Sequence, residues 1–310
     1  MRRITQKDIA NLLGIHVRTI TRVLRNDPAV SSAMRLRVIR ELNRHGYFIR
    51  PLDASAPLVI DVPSASGYRL NIVSRLLENI EKCNFTVQIS DHRNRYQEFK
   101  KIIRDAGTVF FCSTPGRDVL AETHEINPGA FRINMFASGI YDAEISLEPD
   151  HSSIGKIAAK YLGERYRRVL LIGSPESIAC HERIKSFTGE MFFTHPECEV
   201  RYLLRGPDEN FVPFFSEYFR KKEFVPGAVF CTTGSLCIEM QKVLKKISGE
   251  PPFLLGVDSP DDLELQINSV SWRIDHLVDL AAYYICSRPL FRDGLKVRSS
   301  PQVELKLIKK

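Results

Sequence analysis

Arg18 and Arg22 stand four residues apart, a spacing that places both side chains on one face of a helix, one turn above the other. A guanidinium fork donates two hydrogen bonds at once, and that geometry matches O6 and N7 of guanine in the major groove of DNA. The same two side chains also suit phosphate contact or plain solvation, so the type alone leaves base reading open. Cys180 beside His181 pairs a thiol with a base, but adjacent helical residues do not face each other, which argues against a nucleophile. The seven cysteines are scattered, odd in number and without a Cys-x-x-Cys pair, the pattern of reduced thiols rather than of a disulfide framework. No metal-ligand spacing, phosphate loop or catalytic constellation is visible. The expectation is therefore a protein without catalytic residues, metal or cofactor, and not an enzyme.

The element that presents Arg18 and Arg22 is legible in the flanking residues. Thr5-Gln6-Lys7-Asp8 has the form of a capping box, Ile9, Ala10 and Leu13 follow at helical spacing, and Gly14 provides the left-handed turn that ends a first helix. A second helix is predicted over Val17 to Leu24, with Ile20, Val23 and Leu24 inward and Arg18, Thr21, Arg22 and Arg25 largely outward. Asn26-Asp27-Pro28 breaks it. Ser31 or Ser32 caps a third helix that carries Leu36, Ile39 and Leu42 and stops at Gly46. Three short helices with a tight turn between the first two make a helix-turn-helix, whose second helix enters the major groove.

Charge supports the same reading. Residues 1–52 hold eleven Lys/Arg and three acids, whereas the rest holds 33 basic and 34 acidic residues. The whole net charge of +7 therefore comes from this head, the footprint of a polyanion binder joined to a neutral body. At 310 residues and 44% hydrophobic content the chain has room for two or three domains. Its longest apolar runs, such as Val169 to Ile172, are far too short to span a membrane, and no stretch near the N-terminus reads as a secretory signal. A cytoplasmic, nucleoid-associated location is expected.

The head resembles the lactose-repressor/galactose-repressor (LacI-type) family of bacterial transcriptional regulators. Lys7-Asp8-Ile9-Ala10, Gly14-Ile15, Thr19-Ile20-Thr21-Arg22-Val23-Leu24, Val30-Ser31 and Gly46-Tyr47 follow its signature. The resemblance implies that Val17, Arg18 and Arg22 read bases, and that Thr5, Thr19, Ser31 and Tyr47 hold phosphates. It also implies a homodimer on a near-palindromic double-stranded operator. The sequence departs from the family at two places in this region. His16 stands where relatives have Ser, a poor cap that is expected to cost roughly 1 kcal/mol locally. The linker, residues 51–57, is shorter than the segment that forms a hinge helix in relatives. Prolines bound it, and Leu52 is its one candidate for a minor-groove wedge.

From Leu58 onward short apolar strands alternate with amphipathic helices. Strands are predicted at 58–62, 85–89, 109–112, 169–172, 200–204, 228–231 and 253–256, and helices at 68–82, 96–104, 152–163 and 177–191. In the 68–82 helix, Leu70, Val73, Leu77 and Ile80 share a face. This is the mark of parallel sheets wrapped by helices, long enough for two lobes. The expected architecture is an all-α helix-turn-helix head on residues 1–50, a linker over 51–57, and an α/β two-lobed sensor of periplasmic-binding-protein type over 58–310.

The family resemblance continues through Glu148 to Gly155, Arg167 to Gly173, Glu182 to Phe187 and Leu255 to Asp258. It implies that Asp150, on one lobe, and Arg183 and Asp258, on the other, face a small-molecule effector, most simply a monosaccharide or derivative. Carboxylates would accept from vicinal hydroxyls while the Arg fork donates to sugar oxygens. Trp272, the only tryptophan, falls where the chain should cross back between lobes and has a flat face for a sugar ring; Tyr68 is a further pocket candidate. Each residue has a structural alternative. Asp150 suits a cap for the helix at Ser152, Arg183 an ion pair with Glu182, Asp258 an ordinary loop, and Trp272 a core position. Thr233-Gly234 replaces the family's Asn-Asp, so contacts there must differ. Two other readings remain: a DNA-binding regulator without ligand response, and a cytosolic sugar-binding protein.

Overall fold

The computed structural model describes the chain except residues 1–3, 25–26, 28, 46, 48–55, 64–66, 84, 114, 137–141, 175–176, 205–210, 222–223, 247–249, 258–266, 288–296 and 309–310. Leu52 and Asp258 lie outside the described residues, as does the side chain of Tyr68. The chain forms two compact units, residues 1–149 with 274–302, and residues 150–273 with 303–310.

The first unit opens with three helices, α1 (Gln6–Leu13), α2 (Val17–Leu24) and α3 (Ser32–Arg44). The capping box forms as expected: Thr5 Oγ1 accepts from the Asp8 amide, and Asp8 Oδ2 accepts from the Thr5 amide at 2.8 Å. Gly14 adopts φ 63°, a left-handed turn that would strain any side chain. Ile9, Ile20, Val23, Val38 and Ile39 are wholly buried, so the head has a core of its own. His16 departs from expectation. Its Nδ1 accepts from the Arg18 amide at 3.1 Å, so the imidazole caps α2 much as a serine would.

The rest of this unit is a six-stranded sheet. β1 (Leu58–Asp61), β2 (Val87–Ser90), β3 (Thr108–Phe111), β4 (Phe131–Asn134) and β5 (Ile145–Leu147) alternate with α4 (Gly67–Ile80), which runs into a 3-10 turn over Glu81–Cys83, α5 (Tyr96–Ile103) and α6 (Arg117–Ile126). The C-terminal segment returns α11 (Ile274–Ser287) and β11 (Val297–Ser299) to the same unit. The order is β2-β1-β3-β4-β5-β11, every pairing parallel. In α4 the buried face is Ile72, Val73, Leu76 and Ile80, while Leu70 is exposed. The inward stripe is thus rotated from the expected one, because the i, i+3, i+4 pattern admits two neighbouring apolar faces in a leucine-rich helix.

The second unit repeats the plan. It comprises α7 (His151–Gly163), β6 (Arg168–Gly173), α8 (Ile178–Thr194), β7 (Glu199–Leu204), α9 (Phe211–Lys221), β8 (Ala228–Cys231), α10 (Gly234–Leu244), β9 (Phe253–Val257), β10 (Asn268–Ser271) and β12 (Glu304–Lys306). Its sheet runs β7-β6-β8-β9-β10-β12, parallel except for β12. Leu170, Ile172, Phe215, Val229 and Met240 fill its core. In each unit the strand order reverses beside the first strand, between β1 and β3 and between β6 and β8. Doubly wound sheets bind ligands at such points, beyond the C-terminal strand ends.

Candidate functional site

The exposed surface of the head carries the groups expected to meet DNA. Val17 is 37% exposed and Arg18 is exposed. Arg22 does not stand alone: its Nε donates to Asp27 Oδ2 at 2.7 Å. Asp27 is itself fixed by the Ala29 amide on Oδ1 at 2.9 Å. The hydrogen bond and charge of Arg22 hold the Asp27 carboxyl below its ordinary range, and Asp27 in turn raises the Arg22 guanidinium. Asp27 thus aims the Arg22 fork, and its bond to Nε does not engage the two terminal nitrogens that approach guanine end-on. Asp27 was legible only as a helix breaker.

The expected phosphate contacts separate into two kinds. Thr5 and Ser31 are helix N-caps, Ser31 Oγ accepting from the Met34 amide at 3.3 Å, so each stands where helix N-terminal amides favour an anion. Tyr47 belongs to a side-chain chain. Gln6 Nε2 donates to Tyr47 Oη at 3.1 Å, and Thr21 Oγ1 donates to Gln6 Oε1 at 3.2 Å. Thr19 is half-buried. Two of the head's basic residues serve the fold: Arg35 Nη2 donates to the Asp27 carbonyl at 2.7 Å, and Arg37 Nη2 to the Leu13 carbonyl at 2.8 Å.

The head is seated on α11 of its own unit. Arg40, on α3, donates to Asp279 at 2.9 Å and Asp275 at 2.8 Å. The buried Tyr283 hydroxyl points at the Val23 and Leu24 carbonyls, 3.5 and 3.4 Å away. Those carbonyls lie in the last turn of α2, where a helix has no internal partners to offer. No pattern in the sequence signals this seat, because its two halves are joined only by the fold.

In the second unit the strand-order reversal gathers polar groups. Arg183, on α8, is buried. Its Nη1 donates to the Thr232 carbonyl just past β8 at 2.6 Å, and its Nη2 lies 3.1 Å from His151 Nδ1 at the start of α7. Burial, and then the Arg183 charge, pull the His151 pKa down to about 3 against the opposing pull of Asp150. The imidazole is therefore neutral near pH 7, with Nδ1 as acceptor. Asp150 caps α7, accepting from the Ser153 amide at 2.9 Å and from Ser153 Oγ at 2.6 Å. Thr232 Oγ1 and Ser174 Oγ, past β8 and β6, are buried without a hydrogen-bond partner among the described residues. Gly173 allows this crowding, since a Cβ there would stand 2.7 Å from Thr232 Oγ1.

The structure thus brings Asp150 and Arg183 together through His151, within one unit rather than on two. The reason is that α7 packs closely on α8. Trp272 is buried after β10, and the chain leaves this unit between Arg273 and Ile274, close to the crossing expected near Trp272. Thr233 caps α10 through the Leu236 amide at 3.2 Å. His151, Thr232 and Ser174 were missed, as polar residues at strand and helix ends carry no periodic signal. In the first unit the equivalent position holds a buried pair. Asp61, closing β1, accepts from His92 Nδ1 at 2.6 Å, the His92 amide at 2.9 Å and Ser90 Oγ at 3.2 Å. A charged residue ending the apolar run Leu58-Val59-Ile60 was its one sequence cue.

A helix-turn-helix head with an arginine-bearing outer face, carried on two doubly wound units, defines a class: the DNA-binding transcriptional regulator. Residues 5–48 match the family of bacterial regulatory proteins, lacI family. The chain is 23% identical over 278 residues to the HTH-type transcriptional repressor CytR of Escherichia coli K12, covering 84% of this chain and 81% of that protein. Its fold is similar to a crystal structure of the Lac repressor dimer bound to operator and the anti-inducer ONPF (TM-score 0.61, 14% identity, 98% of each chain). It is similar also to a LacI family regulator from Enterococcus faecium with bound ribose (TM-score 0.64, 15% identity, 81% of this chain and 97% of that one). Among the described residues no helix is long and apolar enough to cross a membrane.

Proposed function

We propose that this chain is a cytoplasmic, homodimeric, operator-binding repressor whose DNA affinity is set by a small polar ligand, most simply a monosaccharide or derivative. Residues 1–50 read DNA, 51–57 link, and 58–310 sense. Val17, Arg18 and Arg22 read base edges, while Thr5, Thr19, Ser31 and Tyr47 fix the phosphates. The observation that carries the reading is Arg22, aimed by Asp27 on the exposed side of the recognition helix. Arg22→Ala should weaken binding to the specific operator roughly 5- to 150-fold and relax preference at one symmetric base pair, whereas Arg44→Ala should act weakly and without sequence bias. An equal loss of affinity for operator and random DNA would make Arg22 a phosphate contact.

On the sensor, the buried Thr232 and Ser174 hydroxyls at the C-terminal strand ends favour a hydroxyl-bearing ligand beside Arg183, Asp150 and His151. Asp258, Trp272 and Tyr68 complete the proposed set. A second reading, a regulator without ligand response, draws on the same site: Arg183 and Asp150 already have partners within the chain. A thermal-shift panel of sugars and sugar phosphates separates the two. A ligand that raises the midpoint should bind Arg183→Lys at least tenfold more weakly, since lysine keeps the charge but loses the fork. No shift across the panel would favour the second reading, and unchanged binding by Arg183→Lys would place the ligand elsewhere.

A further inference from the structure

Cys83 and Cys286 lie in the first unit, in the 3-10 turn that ends α4 and in the last two turns of α11. Their sulfurs stand 2.7 Å apart. That is well inside ordinary non-bonded contact and only about 0.65 Å longer than the roughly 2.05 Å of a disulfide. The two helices are joined a turn or two earlier by Asn79 Nδ2 donating to Asp279 Oδ1 at 3.2 Å, so the sulfurs meet along a contact that already exists. Cys286 is wholly buried, whereas Cys83 is partly open to solvent. Cys112, Cys180, Cys231 and Cys237 are buried as well.

We propose that Cys83 and Cys286 form an oxidant-responsive dithiol pair, open when reduced and closed into an intrachain disulfide by hydrogen peroxide. The accessible Cys83 thiolate attacks one peroxide oxygen. The O–O bond breaks, water leaves after proton uptake, and Cys83 becomes a sulfenic acid. Cys286 then attacks that sulfur, giving up its proton; the S–S bond forms, the S–O bond breaks and a second water leaves. Two thiols lose two electrons and the peroxide is reduced to two waters. Burial, followed by the hydrogen bond with Cys83, holds the Cys286 thiol far above its ordinary pKa, which suits the second attack rather than the first. The link ties α4 to the helix that carries Asp275, Asp279 and Tyr283, so it braces the seat of the DNA-binding head.

The test uses the full chain, fully reduced and then exposed to hydrogen peroxide, with differential alkylation and peptide mapping. The expected result is a Cys83–Cys286 linked peptide that accounts for most of the oxidised Cys83 and disappears on reduction. Cys286→Ser should instead trap Cys83 as a sulfenic acid that reacts with dimedone, and Cys83→Ser should leave Cys286 unmodified. The proposal is overturned if wild-type Cys83 accumulates as sulfenic or higher acids without a link. A Cys83 cross-link between two chains, or a Cys231–Cys237 link in place of the named pair, would overturn it equally. Mapping of the wild-type chain decides the point even where a variant fails to fold.

Discussion

Gly155→Ala is expected to destabilise the second unit by a net 2 kcal/mol or more, although alanine is the better helix former. A Cβ at this position of α7 would stand 2.1 Å from Ser186 Oγ, 2.4 Å from the Arg183 carbonyl oxygen and 2.8 Å from the Phe187 amide nitrogen. The serine hydroxyl can swing away, but the other two atoms are backbone of α8, and relieving them means moving one helix off the other. Overpacking of this kind costs about 3 kcal/mol at the upper end of its usual range, against about 1 kcal/mol gained in helix propensity. The same displacement would separate His151 from Arg183, so ligand response should fail with stability. Gly189→Ala is the control. It lies on α8 with nothing within 4 Å of its would-be Cβ, and should gain up to about 1 kcal/mol. Urea unfolding of the three full-length chains makes the comparison; a Gly155→Ala chain as stable as the parent would mean that α7 and α8 are not packed this closely.

The second large effect is a loss of stability in mild acid. The folded pKa of His151 is lowered to about 3, first by burial and then by the Arg183 charge, from an ordinary 6.5. Between those values the unfolded chain takes up a proton that the folded chain refuses, so stability falls as pH drops below about 6.5 and is fully present above it. The limiting slope is about 1.4 kcal/mol per pH unit, which amounts to about 2 kcal/mol lost by pH 5 from this one group. Asp150 and Arg183 are the charged groups that face it. His151→Asn retains a side-chain oxygen to accept from Arg183 but does not titrate. Its unfolding free energy should therefore change about 2 kcal/mol less than the parent's between pH 7.5 and pH 5. Parallel profiles for the two chains would show that His151 is not held neutral by its surroundings.

Local chemistry made much of this molecule legible in advance. Thr5, Asp8 and Gly14 announced the start and stop of α1, because caps and left-handed turns are specified within four residues of chain. Strand-helix alternation gave the doubly wound units, since apolar runs bounded by turns need no long-range information. α6, β4, β5, β10 and the C-terminal elements α11, β11 and β12 were not assigned. The strands among them are three or four residues long and the last two barely alternate, and a weak period in so short a segment does not rise above background. The candidate sensor site shows the same division. Arg183 and Asp150 were found through their register with a family. Their partners His151 and Thr232 were not, because what makes those two important is proximity across α7, α8 and β8. His16 was misjudged by residue type: imidazole is a poor average cap, but Nδ1 happens to reach the Arg18 amide.

The seat of the head also has a place in time. The Tyr283 hydroxyl comes 260 residues later in the chain than the Val23 carbonyl it meets, and Asp275 comes 235 residues after Arg40. A ribosome adding about 5–20 residues per second needs on the order of tens of seconds to cover that interval. For that whole period the nascent head exists without its seat and must hold together on Ile9, Ile20, Val38 and Ile39 alone. A newly made chain therefore has every residue of the three-helix head and its core before it has the helix that seats that head, and the edge strand β12 that completes the second unit's sheet is made later still.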